Sequence, residues 1–437
     1  MSRPPVVSWT SQRERLFTWY STTLVKSPLA TARLPAKNGF MRDAAAITST
    51  RRPTAAPRRR EWAPRIWEGC DFFAWLHVLA RHRFAVHWSH AYIAIIITLV
   101  SVWHTVLSHV QEILYGEEIA RTPIDRAPIF IIGHWRTGTT LLHELLVLDP
   151  RHTYPTTYEC LEPNHFLLTE RFFQRWMRFL LPSHRPMDNM LAGWERPQED
   201  EFALCMLGQP SPYLAIAFPN SPRGKSHALE MDLKPRELKQ WKRAFLRFIR
   251  QLSFKSAKRI VLKSPPHSCR IRVLLELFPK ARFIHVVRNP YVVFPSTVNL
   301  WKSLYRTHGL QRPTFVGLDE QVFETFINLY SRLEDERGLI PASQYYELRY
   351  EDLIRDPLSQ MRALYAHLGI GDFEMVLPHL RTYLARAEGY ATNHYDLSCE
   401  QKAEITRRWK HVIRRYGYAP EESSGGASPK PALPSTV

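Results

Sequence analysis

From Ala127 onward the chain alternates short apolar runs with longer stretches whose apolar positions recur at helical spacing. APIFIIG (127–133) is a compact apolar run ending in glycine, and TTLLHELLVLD then sets Leu141, Leu142, Leu145, Leu146 and Leu148 on one helical face before Asp149-Pro150 stops it. RIVLK (259–263) predicts a second strand, IRVLLELF (271–278) a helix, ARFIHVVR (281–288) a third strand and YVVFPSTVNLWKSLY (291–305) a further helix. Such alternation predicts an α/β fold, a three-layer α/β/α sandwich with a central, mainly parallel sheet. The residues between Pro150 and Arg259, rich in proline and aromatics, read as a mostly helical insertion. In folds of this kind ligands bind beyond the carboxyl ends of the strands, so residues 133–138, Lys263 and Arg288 are expected to converge on one crevice.

A different pattern precedes this region. Between Arg83 and Glu112 there is no Lys, Arg, Asp or Glu, and AYIAIIITLVSVW (91–103) is apolar apart from Thr98 and Ser101. A bilayer span needs about 18 apolar residues. The run falls short unless His104 and its neighbours are included, while Trp88, Trp103 and four histidines crowd its edges as interfacial anchors do. A buried helix, a helix lying in the membrane plane and a true span all remain open. The pattern divides the chain into a leader (1–60), an N-terminal helical extension that is a candidate for membrane association (61–120), an α/β domain (121–420) and a tail (421–437).

Charge changes the picture less than its total suggests. The formal charge is +18, but residues 1–60 carry twelve Lys and Arg against only Glu14 and Asp43, so more than half of the excess belongs to the leader. Stretches such as RRPTAAPRRR (51–60) have little to bury and read as disordered, solvated chain. The Ser/Pro/Gly-rich tail reads the same way, and no nucleic-acid partner is expected. Five cysteines (70, 160, 205, 269, 399) stand far apart without a C-x-x-C pair, which suggests neither a disulfide framework nor a zinc site. With no N-x-[ST] acceptor and no signal-peptide pattern, the expected location is cytoplasmic, peripheral on the inner membrane face.

The candidate chemistry begins at GHWRTGTT (133–140). Gly133 and Gly138 hold the two glycine positions of a phosphate-binding P-loop, but Thr139 stands where the loop lysine belongs, and none of the three predicted strands ends in an aspartate to help hold Mg²⁺. Backbone N–H groups of the loop and of the first helical turn still form an anion site, to which Thr137, Thr139 and Thr140 belong and Arg136 adds a cation. A second motif lies in VVRNPYVVFPSTVNLW (286–301), where a strand-end arginine, Arg288, is followed eight residues later by Ser296.

GHWRTGTT resembles the 5′-phosphosulfate loop of sulfotransferases that use adenosine 3′-phosphate 5′-phosphosulfate (PAPS), and Arg288 with Ser296 resembles their 3′-phosphate motif. RYEDL (349–353) is similar to the late part of that fold, and the likeness runs from about residue 127 to about 370. The resemblance implies PAPS as sulfuryl donor with no metal required, and a hydroxyl or amine acceptor. The aromatic insertion and the apolar helix lean toward a small hydrophobic or lipid-like molecule. It implies that Gly133, Arg136, Thr137, Gly138, Thr139, Thr140, Arg288 and Ser296 bind the nucleotide, that Arg136 and Lys263 stabilise the transferring group, and that a general base takes the acceptor proton. The order of candidates for that base is Glu159, Glu162, Glu199, His267; Asp200 and Glu201 read as a solvated helix start.

Two departures accompany the likeness. Pro295 falls inside the predicted helix just before Ser296, where it removes a backbone bond. The glycine-rich C-terminal nucleotide loop of cytosolic members is replaced by ATNHYDLSCEQKAEITRRW (391–409). A P-loop kinase with an unusual loop and a non-catalytic, membrane-associated nucleotide-binding protein are the alternatives.

Overall fold

The computed structural model describes residues 66–176, 193–221, 229, 231–386 and 395–418. The leader and the tail lie outside the described residues, as do residues 61–65 and 391–394.

Five parallel strands, β1 (Ile129–Ile132), β2 (His152–Thr153), β3 (Arg259–Lys263), β4 (Arg282–Val287) and β5 (Tyr345–Arg349), form one sheet in the order β2-β3-β1-β4-β5. The strand period of two sends neighbouring side chains into different cores. Phe130, Ile132, Ile260, Leu262, Phe283 and Val287 join one buried cluster, while Ile129, Ile131, Val261, Ile284, Val286 and Leu348 join the other. Helices cover both faces, and the α/β/α sandwich follows. The insertion is helical as expected, with helices Thr157–Leu161, Phe166–Trp176, Asp200–Met206, Leu214–Ala217 and Pro235–Lys255, but it opens on the two-residue edge strand β2.

The N-terminal segment is bound into the same core. Trp67, Trp75, Ile93 and Ile97 belong to the first buried cluster, and the Trp67 indole donates to the His308 carbonyl at 2.8 Å. The apolar helix Ala91–Arg121 buries Ile93, Ile97, Ser101, His104, Gln111 and Ile119, which fall on one stripe. Its other faces carry Tyr92, Ile95, Leu99, Trp103 and Ile113 exposed, and only 22% of its most apolar window is buried. This helix is long and apolar enough to cross a membrane, yet one stripe of it lies along the body.

Candidate functional site

Register places the two strands that flank β1 so that all three end at the same edge. Ile131 pairs with Lys263 on one side, and Ile132 pairs with His285 on the other. Residues 133–138, Lys263 and Arg288 therefore leave the sheet together, about 5 Å apart from strand to strand.

The loop's two glycines are required by close approach and by conformation. A Cβ on Gly133 (φ 139°) would sit 2.5 Å from the Val286 carbonyl oxygen, and one on Gly138 (φ 96°) would sit 2.2 Å from the Tyr350 ring. Arg136 also lies at positive φ, 69°, in the left-handed region that non-glycine residues seldom adopt. Gly138 caps the helix Thr139–Leu146 without a side-chain cap bond, so the first-turn N–H groups, which lack intrahelical acceptors, face the loop. The turn is braced from below. Ser268 Oγ accepts from Gly133 N at 2.8 Å, Thr137 Oγ1 donates to the His134 carbonyl at 2.8 Å, and burial holds the His134 ring at about 4, below its usual 6.5.

Three of the expected nucleotide residues meet. Arg136 Nε donates to Ser296 Oγ at 2.8 Å, and Arg288 Nη1 donates to the Arg136 carbonyl at 3.0 Å while its guanidinium lies 4.1 Å over the Tyr350 ring. Ser296 reaches this point because the helix Pro290–His308 runs on through Pro295. The proline forfeits one backbone bond in the second turn, and the helix survives because Val293, Phe294 and Val298 bury its inner face. Thr139 is buried and Thr140 half-buried at the same helix start.

A second group lies at the end of β3. Lys263, with 2% of its side chain exposed, donates from Nζ to Glu199 Oε1 at 2.6 Å. The other carboxylate oxygen of Glu199 accepts from the Tyr213 hydroxyl, which in turn accepts from the indole N–H of the loop residue Trp135 at 2.9 Å. Burial, followed by the Glu199 charge, pushes the Tyr213 hydroxyl well above its usual range, so Tyr213 remains a donor. Glu199, 14% exposed at its side chain, is linked through Tyr213 and Trp135 to the phosphate loop.

The other base candidates point elsewhere. Glu159 caps its own helix, accepting from Thr156 N at 2.7 Å and from Lys255 Nζ at 2.7 Å. Burial raises its carboxyl and the Lys255 charge opposes that. Glu162 faces His104 and His165, each at 3.1 Å. His267 is fully buried against Asp200 at 2.6 Å and edge-on to Phe130.

Asp200 and Glu201 correct the solvated reading, since neither side chain is exposed. Asp200 accepts from Ser264 Oγ at 2.9 Å and pairs with His267, and Glu201 forms a forked pair with the buried Arg270. Burial works against the Asp200 charge, but His267 and Ser264 outweigh it and hold the carboxyl below its usual range. These acids anchor the helix Asp200–Met206 to the segment after β3, which fixes Glu199 at its N-cap.

Sequence spacing did not single out Trp135 or Tyr213. Trp135 sits inside the quoted loop, but Tyr213 lies in the insertion, 78 residues away, and only the fold joins them.

The sulfotransferase family model matches residues 128–374. The Mycobacterium tuberculosis protein named omega-hydroxy-beta-dihydromenaquinone-9 sulfotransferase Stf3 is 55% identical over 362 residues, 83% of this chain and 93% of its own length. Human carbohydrate sulfotransferase 6 is 24% identical over 327 residues, 66% of this chain and 75% of its own. Among solved structures, sulfotransferase STF9 from Mycobacterium avium has a TM-score of 0.58 at 20% identity, covering 72% of this chain and 82% of its own. With a family match over more than half its length and a relative more than half identical along most of it, this chain belongs to the sulfotransferase family.

Proposed function

We propose that the chain transfers a sulfuryl group from PAPS to the hydroxyl of a lipid-like acceptor, working at a membrane surface. Family membership sets the kinase and the non-catalytic alternatives aside. The donor is supported by two cation-bearing elements, the loop with Arg136 and the Arg288/Ser296 pair, which suit a nucleotide phosphorylated at both 5′ and 3′ positions. The lipid acceptor is supported by the relative whose name gives a hydroxylated menaquinone derivative as its acceptor, and by the exposed apolar helix.

The observation that carries the chemistry is the Glu199 carboxylate held between Lys263 and Tyr213 at the strand edge beside the loop. In this reading the acceptor oxygen forms a bond to sulfur as the bond from sulfur to the 5′-phosphate oxygen breaks. The hydroxyl proton passes to Glu199, and the products are a sulfate ester and adenosine 3′,5′-bisphosphate. Arg136 and Lys263 offset the charge that grows on the departing phosphate. Glu199 replaces Glu159 at the head of the candidates because its partners, Lys263 and Tyr213, tie it to the end of β3 and through Trp135 to the phosphate loop, whereas the partners of Glu159 are its own helix cap and Lys255.

The exposed faces of the helix Ala91–Arg121 support attachment in the membrane plane. Gln111 bonds the Asn164 carbonyl and Leu167 N, both at 2.9 Å, and Tyr115 packs on Phe254, so the inner stripe is committed to the body. A cytoplasmic face suits the five free cysteines. The test follows labelled PAPS with a long-chain isoprenoid alcohol in vesicles, and with the same lipid lacking its hydroxyl. Sulfated product from the alcohol alone, with vesicle flotation lost in Leu99→Glu/Trp103→Glu, is the expected result. Transfer only to water-soluble acceptors with no flotation overturns the reading.

A further inference from the structure

Outside the transfer site, three metal-ligating side chains from two parts of the chain, two buried and one partly buried, come together. His104 comes from the apolar helix, while Glu162 and His165 come from the turn after the helix Thr157–Leu161. His104 Nδ1 and His165 Nε2 each lie 3.1 Å from Glu162 Oε2 and 2.6 Å from one another. At 2.6 Å the two ring nitrogens are closer than a usual hydrogen bond of about 2.9 Å. The Glu162 oxygen is buried and accepts no hydrogen bond in this geometry.

The surroundings fix which atoms are offered. Thr169 Oγ1 gives its proton to the His165 carbonyl at 3.0 Å, so it accepts from His165 Nδ1 at 3.0 Å and leaves the Nε2 lone pair of the neutral ring directed at Glu162 and His104. Tyr158 OH donates to the same Thr169 oxygen at 2.8 Å. Support of this kind, a ring N–H held by an outer partner, sets the tautomer of a metal-binding histidine. The ligand triangle also has a characteristic size. With metal bonds of about 2.05 Å, neighbouring ligands stand about 2.9 Å apart on an octahedral face and about 3.3 Å apart in a tetrahedron. The observed edges of 2.6 and 3.1 Å bracket the first.

We propose that His104, Glu162 and His165 bind a divalent transition-metal ion of the zinc, cobalt or iron(II) class as a two-histidine, one-carboxylate face. The ion clasps the apolar helix to the catalytic body, one and two turns from the point where Gln111 bonds the Asn164 carbonyl and Leu167 N. It takes no part in sulfuryl transfer, and the expectation that the reaction itself needs no metal stands apart from it. Sequence spacing gives no hint of the site, since His104 precedes Glu162 by more than fifty residues.

The test uses the full chain purified without chelator. Elemental analysis is expected to find one metal per chain, removal by a chelator to lower Tm, and Zn²⁺ to restore it. Co²⁺ in place of Zn²⁺ should give visible d–d absorption. His104→Gln and Glu162→Gln keep size and polarity, so they should fold, judged by circular dichroism, while losing stoichiometric metal and the Zn²⁺-dependent rise in Tm. A wild-type chain with negligible metal and a Tm indifferent to both chelator and Zn²⁺ overturns the proposal and leaves a proton shared between the two rings. Equal metal binding by the variants overturns it as well, by placing the ion elsewhere. None of these readouts depends on the transfer reaction.

Discussion

Replacing Glu199 with glutamine separates the transfer role from a structural one. The amide keeps the size of the side chain and an oxygen to accept from Lys263, now 2.6 Å away, but it can no longer take a proton. Loss of a positioned general base costs about 10²–10⁴ in rate, equivalent to about 3–5 kcal/mol of barrier. Stability should fall too, since Lys263 is 2% exposed and loses its counter-charge, and breaking a buried pair costs up to about 3–5 kcal/mol. The control is Glu159→Gln, where the one amide oxygen can keep the helix-cap bond or the bond to Lys255 but not both, a loss of about 1–3 kcal/mol with Lys255 still paired to Glu170. Single-turnover assays with labelled PAPS, at saturating acceptor and with each variant checked for folding, should show Glu199→Gln slowed at least a hundredfold with PAPS affinity near normal. Glu159→Gln should transfer at near the wild-type rate but melt several degrees lower. A folded Glu199→Gln within threefold of wild type, or a greater slowing in Glu159→Gln, refutes the assignment.

Arg136→Ala should lower kcat by about 10²–10³ because the loop cation acts on charge that develops in the transition state; Arg136→Lys should recover part of it, and normal turnover of the alanine variant removes the role. Arg288→Ala and Ser296→Ala should make adenosine 3′,5′-bisphosphate and adenosine 5′-phosphate bind almost alike in calorimetry, whereas retained preference for the bisphosphate contradicts the 3′ assignment. Acid should destabilise the fold in a defined window. The His134 ring is held at about 4 by burial, below the usual 6.5, so between these values the unfolded chain binds a proton that the native chain refuses. Stability from this residue is intact above pH 6.5 and lost as pH falls toward 4, in all roughly 3 kcal/mol. His134→Asn should flatten the dependence of Tm on pH in that range, and an unchanged slope counts against it.

What the sequence made legible was governed by local rules. β1, β3 and β4 are apolar on both faces because helices cover both, so each reads as a continuous apolar run. Gly133, Gly138, Arg288 and Ser296 were legible because a tight loop and a strand end impose fixed spacings. β2 is two residues long and β5, YYELR, has one fully buried position, so neither carries a run to detect. Asp200 and Glu201 were misread because a helix start rich in acids is usually solvated. Their partners, His267, Ser264 and Arg270, come from the segment after β3, more than sixty residues on, and no local pattern reports a buried counter-charge at that distance. Glu159 was placed ahead of Glu199 for the same reason. Each is a glutamate at a helix start, and only the fold gives one Lys255 and the other Lys263.

The apolar helix shows how a hydropathy reading finds an element and leaves its arrangement open. An ordinary amphipathic helix on a soluble protein buries its apolar face and exposes a polar one. Here the relation is partly inverted. The stripe facing the body carries Ser101, His104 and Gln111 among its buried residues, and Thr98 and Thr105 bond Trp75 Nε1 and Phe72 N at its border, while Leu99, Trp103 and Ile113 are 68%, 61% and 82% exposed. Buried polar groups need partners: Gln111 and His104 find theirs on the catalytic body, Thr98 and Thr105 on the preceding helix Phe72–Arg81, and Ser101 on the Thr98 carbonyl of its own helix. An isolated span has no use for such a stripe, and a helix meant for water has no use for the apolar faces opposite. Both features suit the attachment proposed above, a helix held on the enzyme with lipid against its far side, and vesicle flotation that survives Leu99→Glu/Trp103→Glu would count against it.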